Sequence, residues 1–188
     1  MAHNFTLGGK TNEDLNISML NSPREALPEV MSKVEENHNR PGGHDYGGDY
    51  AGLTIDLECY FTRAGHEENL QADIRALTDH LTDGQGKPQE MDLTFPEEPN
   101  LRYTVRYDGS GLRVGRGLSN AQGEFTLTLV AVDPRAKGPE ETVTKTISSS
   151  PGEVNVENSG NVRTPLVITI TNEGSNTIDH FELNKEEE

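Results

Sequence analysis

The chain has 188 residues with 16 Lys+Arg against 32 Asp+Glu, a formal charge of −16 at pH 7 and a pI near 4.7. Such a surface lacks the basic footprint that releases counterions from duplex DNA or RNA, so specific nucleic-acid binding is not expected. One cysteine excludes an internal disulfide and a Cys/His zinc framework, and no apolar run approaches the roughly 20 residues needed to span a bilayer.

The apolar share, about 38% with glycine counted and tyrosine left out, is below the ~45–50% of an ordinary globular domain. The core must be thin, and the length suits one domain, or one domain and a fragment of a second. The opening MAHNFTLGGK lacks the basic and apolar segments of a secretory signal. A soluble chain without a membrane anchor, folding in a reducing compartment, is expected. The charge is spread evenly, −6 over residues 1–60, −5 over 61–134 and −5 over 135–188.

In chain order, residues 14–20 and 26–34 alternate apolar and polar side chains with the period of a half-buried strand, and Pro23 and Pro28 make the second an edge strand or arm. Glu35 to Tyr50, 16 residues with five glycines and prolines, reads as an extended polar loop. Between Tyr50 and Phe61, Leu53, Ile55, Leu57, Cys59 and Phe61 occupy every second position, the clearest strand in the protein. Residues 66–81 place Leu70, Ile74, Leu77 and Leu81 at helical spacing, with Glu67 and Glu68 in the first turn where the helix dipole favours them, and GQGKP ends the helix.

Further strands are expected at 91–95, 102–107, 112–118 and 123–133, with a hairpin turn over Asp108, Gly109, Ser110 and Gly111. Residues 133–138 read as a boundary, followed by weaker strands at 142–147, 153–157, 162–172 and 177–183. The expected fold is mainly β with one packed helix: an antiparallel β-sandwich over residues 1–134, then a reduced or partial β module over 135–188, since about 50 residues bury too little surface to stand well alone.

Few residues suggest chemistry. His38, His44, Asp45 and Asp49 are metal-capable, but their spacing matches neither an EF-hand nor a zinc motif, so an ordered polar loop is the expectation. Cys59, between Leu57 and Phe61 on the apolar side of its strand, is expected to be buried and inert. GxSxG, P-loop and HExxH motifs are lacking. No cofactor, metal or catalytic residue is assigned, and the chain is not expected to be an enzyme.

The informative cluster is Arg102, Arg106, Arg113 and Arg116, which face only Asp108 within residues 102–118. A hairpin over Asp108–Gly111 would set Arg106 opposite Arg113, like charges that disfavour the isolated sheet. These arginines either pair with carboxylates elsewhere in the chain or meet acidic residues of a neighbouring copy in a head-to-tail contact that closes into a ring.

The succession LPEVMSKVEE, RPGGHDYGGDYAG, LTIDLECYF, NLQADIRALTDHL, MDLTF, RYTVRYDG and GEFTLTLVAVDP resembles the N-terminal belt domain of the distal tail protein of long-tailed, non-contractile bacteriophages. The matching positions are Gly42 to Gly48, Leu53 to Phe61, Leu70 to Leu81 and Phe125 to Pro134, and the resemblance covers residues 20–134, some three fifths of the chain. It implies a structural role: copies forming a hexameric ring at the end of the tail tube, in contact with the tube protein, the tail hub or fibre protein and the tape measure protein.

In that reading Gly42, Gly43, Asp45, Tyr46, Gly48 and Tyr50 join the four arginines as oligomer-interface candidates, and an acidic lumen lets DNA pass without holding it. The segment NVRTPLVITITNEGSNTIDHFEL is similar to the opening strands of the β-sandwich that follows in the family. The rival readings are a tail tube subunit, a glycan- or host-surface-binding β-sandwich, which the lack of tryptophan disfavours, and a hydrolase built on the His/Asp loop.

Overall fold

In this computed structural model, residues 4–23, 28–36, 41–63, 67–115, 123–149, 153–157, 160, 162, 165–180 and 182 are described. The fold is organised around the strand with the strictest alternation. Leu53–Phe61 buries Leu53, Ile55, Leu57, Cys59 and Phe61 and turns Thr54, Asp56, Glu58 and Tyr60 outward. Numbered along the chain, the strands are β1 (Thr6–Leu7), β2 (Lys10–Thr11), β3 (Ile17–Asn21), β4 (Val30–Glu36), β5 (Gly43–Tyr50), β6 (Leu53–Phe61), β7 (Met91–Phe95), β8 (Glu98–Tyr107) and β9 (Glu124–Ala131), and one helix, α1 (Glu67–Leu81), follows β6.

Seven of the strands form one antiparallel sheet in the order β2-β1-β7-β8-β9-β6-β3, while β4 and β5 pair only with each other. The sheet's inner face supplies Leu7, Ile17, Met19, Leu93, Phe95, Val105, Phe125, Leu127 and Leu129, and Leu70, Leu77 and Leu81 of α1 join the same cluster. One apolar stripe on one helix thus covers the inner face of a curled sheet, and each fully buried leucine or phenylalanine contributes about 1.5–3 kcal/mol.

Polar contacts fasten the N-terminal half and the last turn of α1. Asp73, 1% exposed, is an ion-pair and hydrogen-bond acceptor for Arg63 in the turn after β6, and its Oδ1 accepts from Asn16 Nδ2 at 3.1 Å. Asn16 lies just before β3 in a left-handed conformation, φ 55°, which asparagine tolerates. At the other end His80 Nε2 stands 2.8 Å from the Leu7 carbonyl oxygen. A carbonyl only accepts, so Nε2 carries the proton. The helix terminates where Gln89 Nε2 donates to the His80 carbonyl at 2.7 Å and Asp83 Oδ1 accepts from the amides of Gln85 and Lys87.

Several expectations need correction. Glu35–Tyr50 is not simply a loop, because Gly43–Tyr50 is a strand laddered to β4. No strand runs over the described part of 112–118, and no hairpin closes over Asp108–Gly111. Instead Arg106 and Tyr107 pair with Val130 and Leu129 of β9. The reason is the core: this pairing puts Tyr107 beside Leu129 on the inner face, and the ladder of β9 with β6 already holds Leu127 and Leu129 there. Short β1 and β2 were not anticipated, and the strand expected at 102–107 begins earlier, at Glu98.

Contacts divide the chain into two units, Met1–Glu141 and Thr142–Glu188. Lys137 exchanges backbone hydrogen bonds with Arg102, which ties residues beyond Pro134 to β8. In the second unit the described residues carry neither helix nor strand, and Val143, Ile147, Leu166, Ile170 and Ile178 are exposed, Val167 to 90%. The alternation read there as strands has no ladder among the described residues.

Two predictions test this core. Asp73→Ala removes the acceptor shared by Asn16 and Arg63 and lowers stability by about 2 kcal/mol in denaturant unfolding. Burial pushes the Cys59 thiol up, from an ordinary 9.0 to about 12, with the Glu58 charge adding to the effect. Above pH 9.0 the unfolded thiol ionises while the folded one stays protonated, so its contribution to stability is lost as pH rises toward 12. The stability gap between wild type and Cys59→Ala should narrow over that window and stay constant below it.

Candidate assembly surface

Every residue of β4 and β5 is exposed, on both faces of the ribbon. Val30 pairs with Tyr50, Met31 with Asp49, Ser32 with Gly48, Val34 with Asp45, Glu35 with His44 and Glu36 with Gly43, with an irregularity between Ser32 and Val34. Gly47, φ +87°, is the extra residue of the bulge, and its amide donates to Asp45 Oδ1 at 2.9 Å.

The register sorts the side chains into two unlike faces. One carries Met31, Lys33, Glu35, His44, Tyr46 and Asp49. Its polar groups answer each other: Tyr46 Oη donates to Glu35 at 3.0 Å, and the His44 ring meets Tyr46 edge-on at 4.8 Å. The opposite face carries Val30, Val34 and Tyr50, with Glu36 and Asp45 toward the far end.

Two glycines make that second face flat. A Cβ on Gly48 would lie 2.8 Å from Val30 Cγ1 and 3.1 Å from the Met31 carbonyl oxygen, and one on Gly43 would lie 2.7 Å from Val34 Cγ1. Valine is stiff about χ1, so it cannot swing aside cheaply. The glycine-rich composition that suggested a loop is what lets the valines lie across the partner strand.

The arginines differ in their surroundings. Arg102 is committed: it exchanges backbone hydrogen bonds with Lys137, and its Nε is 4.0 Å from Asp92 Oδ2. Arg106 is exposed on the outward side of β8, directly beside half-buried Val130, and the next outward residue of that row, Val132, is 65% exposed. Arg113 is exposed between Leu112 and Val114, which pack on the core, so it also points outward. Among the described residues neither Arg106 nor Arg113 has a hydrogen-bond or ion-pair partner. The expected apposition of Arg106 with Arg113 does not form, because Arg106 faces Val130. Arg116 and His38 lie outside the described residues.

The remaining candidates resolve simply. Gly42, φ +103°, precedes β5 in an exposed bend, and Gly43, Asp45, Tyr46, Gly48 and Tyr50 are all on the ribbon. Among the described residues no group of three His, Cys, Asp or Glu side chains could hold a metal ion. Cys59 is buried, 1% exposed, as its place in the alternation indicated. Sequence reasoning missed Val30, Val34, Val130 and Val132. The short alternation in 26–34 was the only local signal for the first pair, and exposure at the end of β9 has none.

No protein-family model matches the sequence, and no curated protein does. Among solved structures the chain is similar to the Dit protein (gp 19.1) of phage SPP1, a hub adsorption apparatus protein of phages infecting Gram-positive bacteria. The TM-score is 0.62 at 18% identity, covering 74% of this chain and 53% of that one. The chain thus spans about half the length of that protein, and the likeness is one of fold.

The ribbon geometry predicts that Gly48→Ala loosens β4 and β5 alone. Hydrogen exchange should accelerate at the amides of the β4–β5 ladder, while the thermal midpoint changes little, because these strands contribute nothing to the buried cluster.

Proposed function

We propose that this chain is a structural subunit of a phage tail tip, a ring-forming distal tail protein that joins the tail tube to the adsorption apparatus. The observation that carries the reading is the fold shared with the SPP1 hub protein. A second feature supports it. The seven-stranded sheet completes its own core, yet the ribbon buries neither face and two arginines of a chain with a charge of −16 have no partner among the described residues. Flat apolar strips and unpaired cations are what a subunit presents when burial is completed by neighbours, since bare strand edges otherwise invite uncontrolled pairing.

In this reading a hexameric ring meets the tail tube protein on one side and the tail hub or fibre protein on the other, with the tape measure protein reaching its opening. The protein is then a virion component assembled in the host cytoplasm. Its work is recognition through surfaces, with no bond made or broken. Residues 1–134 form the ring, and residues 135–188 are a separate, partial C-terminal module.

Light scattering and negative-stain imaging of the purified chain test this. The expected result is a molar mass at a multiple of 20.6 kDa and hollow annuli in the images. A monomer at all accessible concentrations, or compact particles without a central hole, contradicts the ring.

A further inference from the structure

The seven-stranded sheet ends in β2 on one side and β3 on the other, and a strand at the end of a sheet offers unpaired amides and carbonyls to any other strand that approaches. Residues 12–17 consume those groups at both ends. Asn12, 3% exposed, extends the β1–β2 ladder by donating its amide to the Phe5 carbonyl at 3.1 Å. Its own carbonyl turns away from Phe5 and accepts from the Ile17 amide at 2.8 Å. The side chain then serves both strands: Nδ2 donates to the Ile17 carbonyl at 3.0 Å, and Oδ1 accepts from the Phe5 amide at 3.4 Å. Each polar atom of Asn12 is engaged, which offsets the cost of burying it.

Ile17 is the residue of β3 whose backbone groups point away from β6. Thr62, next after β6, donates its amide to the Asn16 carbonyl at 2.8 Å, and neighbouring residues of a strand turn their ladder groups to opposite edges. Thr11 holds the same position on β2. Asp14 Oδ2 accepts from the Thr11 amide at 3.0 Å and from its hydroxyl at 2.7 Å, and the Thr11 carbonyl accepts from the Leu15 amide at 3.3 Å. The Thr11 hydroxyl and amide hold the Asp14 carboxyl below its ordinary value, so this cap is an anionic acceptor. We infer that Asn12 is a clasp joining the two ends of the sheet, and that Asn12 and Asp14 together close those ends to strand addition by any other chain. The clasp acts within one chain, whether or not copies assemble into a ring.

The test compares three variants of the full chain. Asn12→Ala deletes the clasp side chain and keeps its backbone bonds. Asp14→Ala removes an exposed side chain and bares the Thr11 amide. Leu70→Ala, at a buried position of α1, lowers stability without removing a hydrogen bond from either end of the sheet. Amide exchange should accelerate about tenfold at Phe5 and Ile17 in Asn12→Ala and at Thr11 in Asp14→Ala, while the β6–β9 ladder keeps its wild-type rates. Both clasp variants, and not Leu70→Ala, should bind thioflavin and show a scattering mass that keeps growing with protein concentration. A ring has a fixed mass, so such growth is distinct from ring assembly.

Thermal unfolding checks that each variant folds, and should Asn12→Ala fail to, the exposed Asp14 position carries the test alone. Wild-type exchange at Ile17 in the first variant, or at Thr11 in the second, overturns the clasp. Faster exchange with no added association overturns the guarding of the sheet's ends. Growth of Leu70→Ala particles to the same extent, at matched stability, traces the association to general destabilisation and overturns it as well.

Discussion

Leu53, Ile55, Leu57, Cys59 and Phe61 all project to one side of β6, and the rest of the N-terminal unit is arranged by that constraint. Because side chains alternate along a strand, a strand with neighbours on both edges and one apolar side forces those neighbours to show their own apolar sides in the same direction. β9 does so with Phe125, Leu127, Leu129 and Ala131, β3 with Ile17 and Met19, and β7 with Met91, Leu93 and Phe95. One helix then suffices as the cover. A chain with a modest apolar share builds a full core in this way because it closes only one face of one sheet.

The same economy leaves two features outside the core. The ribbon of β4 and β5 leads into β6 without burying a residue of its own, and the outward face of the sheet keeps its charges. Arg102 finds Asp92 and the Lys137 backbone, whereas Arg106 stands in the open beside Val130, and Arg113 is exposed between Leu112 and Val114.

The glycines show how composition can mislead while the physics remains consistent. Gly43 and Gly48 belong to a stretch whose glycine and proline content suggested a loop. In the ladder they are the positions where a Cβ would strike Val34 and Val30. Glycine weakens a strand through backbone entropy, but here it lets the opposing valines lie flat, and the cost falls on strands that no core depends on.

The sequence by itself determined the elements whose signal is local. The period-2 run of β6, the stripe of Leu70, Ile74, Leu77 and Leu81 on α1, the burial of Cys59 and the mainly β class with one helix all follow from spacing between near neighbours. Only the tertiary structure decided which strands meet. Arg106 and Tyr107 pair with β9, not with the run after Gly111, because the shared inner face outweighs the turn preference of Asp108–Gly111. Pairing is settled by burial summed over distant residues, so residues that face a common partner, such as Arg106 beside Val130, carry no mark of it in their immediate neighbourhood.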